Sequence, residues 1–220
     1  MLKRNKKTLV ITSLVTLLPM VVGLLLWPRL PDTLATHFDF SGEPNGWSSK
    51  TFAVLGMPVF LLGVHLLCAV ATQADPKHKN IQDKVYRMIL WISPVVSALC
   101  CGLTYLWALG VEMDLSLWGP LVMAVLFLVL GNYLPKCRQS YTVGIKVPWA
   151  LADEDNWNAT HRFGGRVWII CGVAMLALIP LGKWAPNLAS GAFMAVTLPA
   201  VLLPTVYSYL YYRKHHKEDE

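Results

Sequence analysis

A chain of 220 residues with 55% hydrophobic and 15% charged content, and a mean hydropathy of +0.47, is too apolar for a soluble globular protein. Its formal net charge of +6 would suit an acidic partner, but the cations lie where membrane topology alone explains them. Nucleic-acid binding is therefore excluded as a requirement of the charge.

The chain opens with MLKRNKK, followed by an apolar run. That run is about 20 residues long and no small-x-small cleavage site follows it, so it reads as an uncleaved signal anchor. Six runs of this kind occur, at 8–27, 52–72, 88–109, 118–134, 167–182 and 188–212, and none contains Asp, Glu, Lys or Arg. Each approaches the roughly 20 residues that span about 30 Å of hydrocarbon as helix. The expected fold is all-α: a polytopic membrane protein of six transmembrane helices. The fifth run is short, and needs either a snorkelling Lys183 or a helix that continues on its N-terminal side.

Orientation follows from the basic residues. With both termini in the cytoplasm, sixteen of the nineteen Lys and Arg face inward, and only Arg29, Lys50 and Lys183 face outward. Tryptophan agrees, since Trp27, Trp47, Trp107, Trp118 and Trp184 fall near outer span ends and Trp91, Trp149, Trp157 and Trp168 near inner ones. The chain closes on Tyr207, Tyr209, Tyr211 and Tyr212 before RKHHK, an aromatic girdle followed by a cytoplasmic anchor. Cys68, Cys100, Cys101 and Cys171 lie within spans and Cys137 lies inside, so no outward pair forms a disulfide framework.

Most connections are short, but the outer loop 28–51 and the inner loop around 131–166 are long enough to be functional, and neither has a disordered composition. Two regions are expected: 1–72, a helical hairpin with the outer loop, and 73–220, a four-helix region with the inner loop. In the outer loop, Thr36-His37-Phe38-Asp39-Phe40 alternates like a strand, and Pro44-Asn45-Gly46 favours a turn with positive φ at its end. An ordered hairpin on the outer surface is expected. Its Phe38, Phe40 and Trp47 would either dock on the helix ends or, with His37, Asp39, Gly42, Glu43, Pro44 and Lys50, form a contact surface for an arriving ligand. His37, Asp39 and Glu43 at loop spacing are weak cation ligands, and no metal site is expected.

In the inner loop, Asp153 is placed as a helix N-cap with acidic residues in the first turn. On the short surface helix that follows, leading into the fifth span, Trp157, Thr160, His161 and Gly164 share a face, while Gly164 and Gly165 allow close backbone approach. His161, beside Arg162, is more simply a hydrogen-bonded structural residue than a catalyst. His65 and Asn132 are polar groups within spans, where such residues face the bundle or a cavity. Pro19, Pro58, Pro94, Pro180, Pro199 and Pro204 are expected to kink or interrupt helices. The spans lack ionisable residues clustered at one depth, so no catalytic residue, no cofactor and no enzyme activity are expected.

Both loops carry a family resemblance. The outer LPDTLATHFDFSGEPNGWSSK resembles the small domain of unknown function that accompanies SdpI-type proteins, and the inner GNYLPKCRQSYTVGIKVPWALADEDNWNATHRFGG resembles the SdpI signature itself. Matching positions include Gly131, Asn132, Leu134, Pro135, Arg138, Gly144, Ile145, Pro148, Trp149, Leu151, Trp157, Thr160, His161, Gly164 and Gly165. Lys146 and Val147 depart from the Arg and Thr of the pattern, and Ser140 stands where Asn is common. The resemblance implies a bacterial inner-membrane immunity protein, whose partners are the lipid bilayer and an extracellular toxin peptide. It further implies that such a protein can signal by holding a cytoplasmic transcriptional repressor. In that version Trp149, Trp157, His161 and Arg162 would contact a partner or lock the bundle. A small-solute or lipid transporter with polar groups such as His65, Asn132 and Thr104 around a central cavity is the alternative.

Overall fold

The computed structural model describes residues 2–39 and 42–215, with the side chains of Leu115, Lys183 and Pro186 excepted. The chain forms two compact units, Met1–Ala74 with Gln82–Met113, and Asp75–Ile81 with Asp114–Glu220. In the first unit the third long helix packs against the first two.

Unit 1 holds α1 (Lys6–Leu26), the strands β1 (Thr33–Phe38) and β2 (Pro44–Ser49), α2 (Met57–Ala74) and α3 (Asp83–Ala108). A π-helical turn, Phe52–Gly56, leads into α2. Polar groups tie the three helices together in an otherwise apolar interior. Ser97 donates to the Thr16 carbonyl at 2.8 Å, and the Tyr86 hydroxyl donates to the Ala69 carbonyl at 3.3 Å. Such bonds matter more than hydrophobic contact where lipid is the solvent, because lipid tails compete fully for apolar surface.

β1 and β2 pair antiparallel from Thr33↔Ser49 to Phe38↔Pro44, with irregular register around His37. The turn is not at Pro44-Asn45-Gly46, which lies within β2. Instead Gly42 takes the positive φ of 85°, and Asp39 closes the loop by accepting the Glu43 N–H on its carboxylate at 3.0 Å. Gly46 serves close approach, since a Cβ there would stand 2.8 Å from the His37 Cβ. Leu34, buried under the hairpin, joins Leu30, Ala53, Val54, Cys101 and Tyr105 in one apolar cluster.

Unit 2 holds α4 (Leu115–Tyr133), α5 (Pro148–Ala152), α6 (Glu154–Leu178), α7 (Leu181–Trp184) and α8 (Pro186–His215). α6 is central and packs on both α4 and α8. Phe127 stacks on Trp168 with centroids 5.0 Å apart, and the Trp168 indole donates to the Ala200 carbonyl at 2.8 Å. Asp153 caps α6 as expected, accepting the Asp155 N–H at 2.9 Å.

The expected short surface helix is not a separate element. Residues 154–166 form the first turns of α6, so the short fifth run is extended on its N-terminal side; the Lys183 side chain, the other means of extending it, lies outside the described residues. The helix persists through 154–166 because its polar residues find partners within the unit, as described below. Among the described residues, five helices, Lys6–Arg29, Phe52–Ala74, Asp83–Ala108, Ser116–Lys136 and Asn187–His215, are long and apolar enough to cross a membrane. Pro180 coincides with the break between α6 and α7, whereas the helices run on through Pro19, Pro94, Pro199 and Pro204. Residues 216–220, which include the end of the RKHHK run, and Phe40 lie outside the described residues.

Candidate functional site

The signature loop is folded onto the first turns of α6. His161 is 1% exposed, and its Nε2 accepts the Ile145 N–H at 2.8 Å. An acceptor at Nε2 places the ring proton on Nδ1, which donates to the Trp157 carbonyl at 2.8 Å. Burial lowers the imidazole pKa from 6.5 to about 4, against the opposing effect of the Trp157 carbonyl. The ring is therefore neutral and accepts from the loop.

Trp157, fully buried, stacks on His161 at 4.0 Å and donates its indole N–H to the Cys137 carbonyl at 2.9 Å. Gly144 crosses this stack with φ +117°, and a Cβ on it would collide with His161 Nε2 and come within 2.7 Å of the Trp157 ring. Only glycine meets both demands, the backbone angle and the missing side chain.

Glycines on α6 and α4 set the helix spacing. A Cβ on Gly165 would lie 2.6 Å from the Gly131 carbonyl oxygen and 2.8 Å from Pro135, and one on Gly172 would lie 3.0 Å from the Ala124 carbonyl oxygen. Both helices thus repeat a small residue every seven positions, and their backbones nearly touch. Gly164 makes room for Ile145 and for Pro204 of α8. Asn156, absent from the sequence reading, is the hub of the α6–α8 contact. It donates to the Ser208 carbonyl at 3.0 Å and accepts from Ser208 at 2.8 Å and from Thr160 at 2.9 Å.

A second unanticipated anchor is Asp75, 2% exposed. One carboxylate oxygen accepts the Tyr141 N–H and Thr142 N–H, both at 2.9 Å, and the Thr142 hydroxyl at 2.7 Å, while the other accepts the Lys77 N–H at 2.7 Å. Burial alone would raise the carboxyl pKa, but the hydrogen bonds from Thr142, Lys77 and Tyr141 outweigh it and hold it below the usual 3.8. Gln139 continues the clasp: it pairs with Lys77 and donates to the Ala150 carbonyl at 2.9 Å. Neither Asp75 nor Asn156 stands out in sequence, because a lone polar residue beside a helix end looks solvated until its partners are placed.

The structure thus brings Pro135, Gly144, Trp157, Thr160, His161, Gly164 and Gly165 into one packed region. Trp149 lies beside it on Tyr209, with ring centroids 5.0 Å apart, and Pro148 opens α5. Asn132, Arg138, Lys146 and Arg162 are exposed, so Asn132 does not face the interior of its unit.

In the other loop, Phe38 packs edge-on against Trp107 at 5.3 Å, and Lys50 lies 3.3 Å from Asp32 and 5.5 Å from the Trp27 ring centroid. His37 pairs with Asn45, and His37, Asp39 and Glu43 are exposed. Trp47, expected to dock on the helix ends if the loop is only a linker, is instead 59% exposed. His65 is buried, with Nε2 3.1 Å from the Thr12 hydroxyl. Among the described residues, no group of three His, Cys, Asp or Glu could hold a metal ion.

Comparison with known proteins falls on this same architecture. The model of the SdpI/YfhL protein family matches residues 136–211. A domain of unknown function, DUF1648, matches residues 14–62 and so spans most of α1, the hairpin and the start of α2. Immunity protein SdpI of Bacillus subtilis strain 168 is 24% identical over 211 residues, covering 93% of this chain and 96% of that protein. No solved structure matches. The SdpI segment starts beside Pro135 and takes in the whole folded loop, α5, α6 and most of α8. With its long apolar helices, the chain is a multi-pass protein of the cytoplasmic membrane.

Proposed function

We propose that this chain is a membrane immunity protein that protects its cell from a secreted, membrane-active peptide. The observation that carries the reading is the near full-length similarity to an immunity protein, joined to a signature loop that the buried His161 and Trp157 hold on α6. In this reading six helices cross the membrane, with α6 as the fifth and both chain ends in the cytoplasm. The hairpin then faces outward. His37, Phe38, Asp39, Gly42, Glu43, Pro44, Trp47 and Lys50 form the surface that meets the toxin.

The inner loop has two parts with different roles. Trp157, Thr160, His161, Gly164 and Gly165 are buried and serve as the lock that shapes the loop. Arg138, Lys146 and Arg162 are exposed and present cations at the cytoplasmic surface, where a repressor would be held if the protein also signals. Expression of the chain in peptide-sensitive cells tests the function: survival should rise with expression, and unchanged killing by every membrane-active peptide tried would remove the reading. A reporter fused at Asn45 tests the topology, and must be active only outside.

A further inference from the structure

The hairpin leaves one strand edge open. β1 packs against α3, whereas β2 neighbours only β1 and the turn that follows it among the closely packed elements. Among the described residues, the backbone hydrogen bonds of β2 run to β1 and none reaches a third element. An antiparallel strand directs alternate N–H and C=O groups to each side, so the outer side of β2 presents a row of groups that an extended chain satisfies.

Side chains around this edge define what would occupy it. Asn45, Trp47 and Ser49 are exposed at alternate positions, and among the described residues Trp47 makes no ring contact, unlike Phe38, which rests on Trp107. The loop 28–51 carries Asp32, Asp39 and Glu43 against Arg29 and Lys50, a local charge of −1 in a chain of net charge +6. Asp39 and Glu43 are exposed at the turn end of the strand. A row of backbone groups selects an extended peptide, an exposed indole gives it an apolar anchor, and the carboxylates favour a cationic one.

We propose that β2 is a docking edge at which an extended cationic peptide segment adds to the hairpin as a third strand, anchored on Trp47. This rests on the reading of the hairpin as the surface that meets a secreted peptide, and it names the mode of recognition.

The test uses the full chain in phospholipid nanodiscs and a synthetic ten-residue peptide of alternating lysine and valine, 13C-labelled at its central carbonyls. Saturable binding should appear together with a shifted amide band of the labelled carbonyls, the infrared signature of strand pairing. Trp47→Ala should weaken binding about tenfold. N-methylation of every second residue leaves one peptide edge intact and should preserve binding, while methylation of every residue should abolish it. Undiminished binding of the fully methylated peptide, absence of the strand signature, or no saturable binding each overturns the proposal. So does a peptide-independent dimer lost with Trp47→Ala, which would assign the edge to a second copy. A chain that protects cells but fails these measurements keeps the immunity reading and loses this one; a chain that binds the peptide by strand addition but protects no cell keeps this one alone.

Discussion

His161 Nε2 accepts the Ile145 N–H at 2.8 Å across sixteen residues of sequence, so one ring nitrogen fastens this part of the signature loop to α6. That nitrogen must stay unprotonated, since a second N–H there would face the first. Folded, the ring titrates near 4; unfolded, near 6.5. The unfolded chain binds the extra proton between these values, so the contribution is whole above pH 6.5 and is lost as pH falls toward 4. The shift corresponds to ~3 kcal/mol. Thermal stability in detergent should fall across that window, together with protection of the Ile145 amide from exchange. His161→Gln keeps a side-chain acceptor but cannot titrate, and should flatten the profile.

Gly144→Ala should be among the most damaging small substitutions in the chain. The left-handed backbone at φ +117° costs any L residue about 1–3 kcal/mol, and the added methyl collides with the stacked Trp157 and His161 rings. The loop must lift off α6 to relieve the clash. Proteolysis within 139–147 of the detergent-solubilised protein should accelerate, while the helices resist. Equal cleavage of variant and native chains would show that the loop is not held by this contact.

The physics that made parts of this fold readable also explains what stayed hidden. Long charge-free runs identified the helices, because lipid tolerates little else. The face shared by Trp157, Thr160, His161 and Gly164 followed from helical periodicity alone, and all four are buried. The turn of the hairpin was misplaced because Pro44-Asn45-Gly46 and Gly42 are both plausible glycine turns locally, and Asp39 decides between them by capping the 39–43 loop. Helix α6 was cut short because its first turns are polar. They persist because Asn156 meets Ser208 and His161 meets Ile145, partners 52 and 16 residues away. Local pattern could not supply either pair, and Asp75 was missed for the same reason.

Gly165→Leu should separate α4 from α6. The Gly131 carbonyl oxygen and the Pro135 ring leave no room for a side chain at 165, and neither group belongs to a flexible side chain that could swing away. Overpacking of this kind typically costs 1–3 kcal/mol or more. Melting in detergent should shift to lower temperature, whereas the same change at Gly102, where an added Cβ meets nothing within 4 Å, should leave it unaltered. Comparable losses at both positions would mean that the effect does not come from contact between α4 and α6, since leucine in place of glycine favours the helix.

Asp75→Asn separates charge from shape at the other end of the loop. The amide keeps the size of the carboxylate but replaces one acceptor oxygen with a donor. Oδ2 alone receives three donors from Tyr141 and Thr142, and Oδ1 receives Lys77, so either orientation of the amide sets donor against donor. Leaving a buried donor unpaired costs about 1–3 kcal/mol. Because the native carboxyl titrates below 3.8, its contribution is present above that pH and is lost as pH falls through the lowered value. The variant should therefore be less stable than the native protein at neutral pH, and the two should converge under acid. Amide exchange of Tyr141 and Thr142 reports the loss directly. If their protection at neutral pH is unchanged in the variant, the carboxylate is not what fixes this segment.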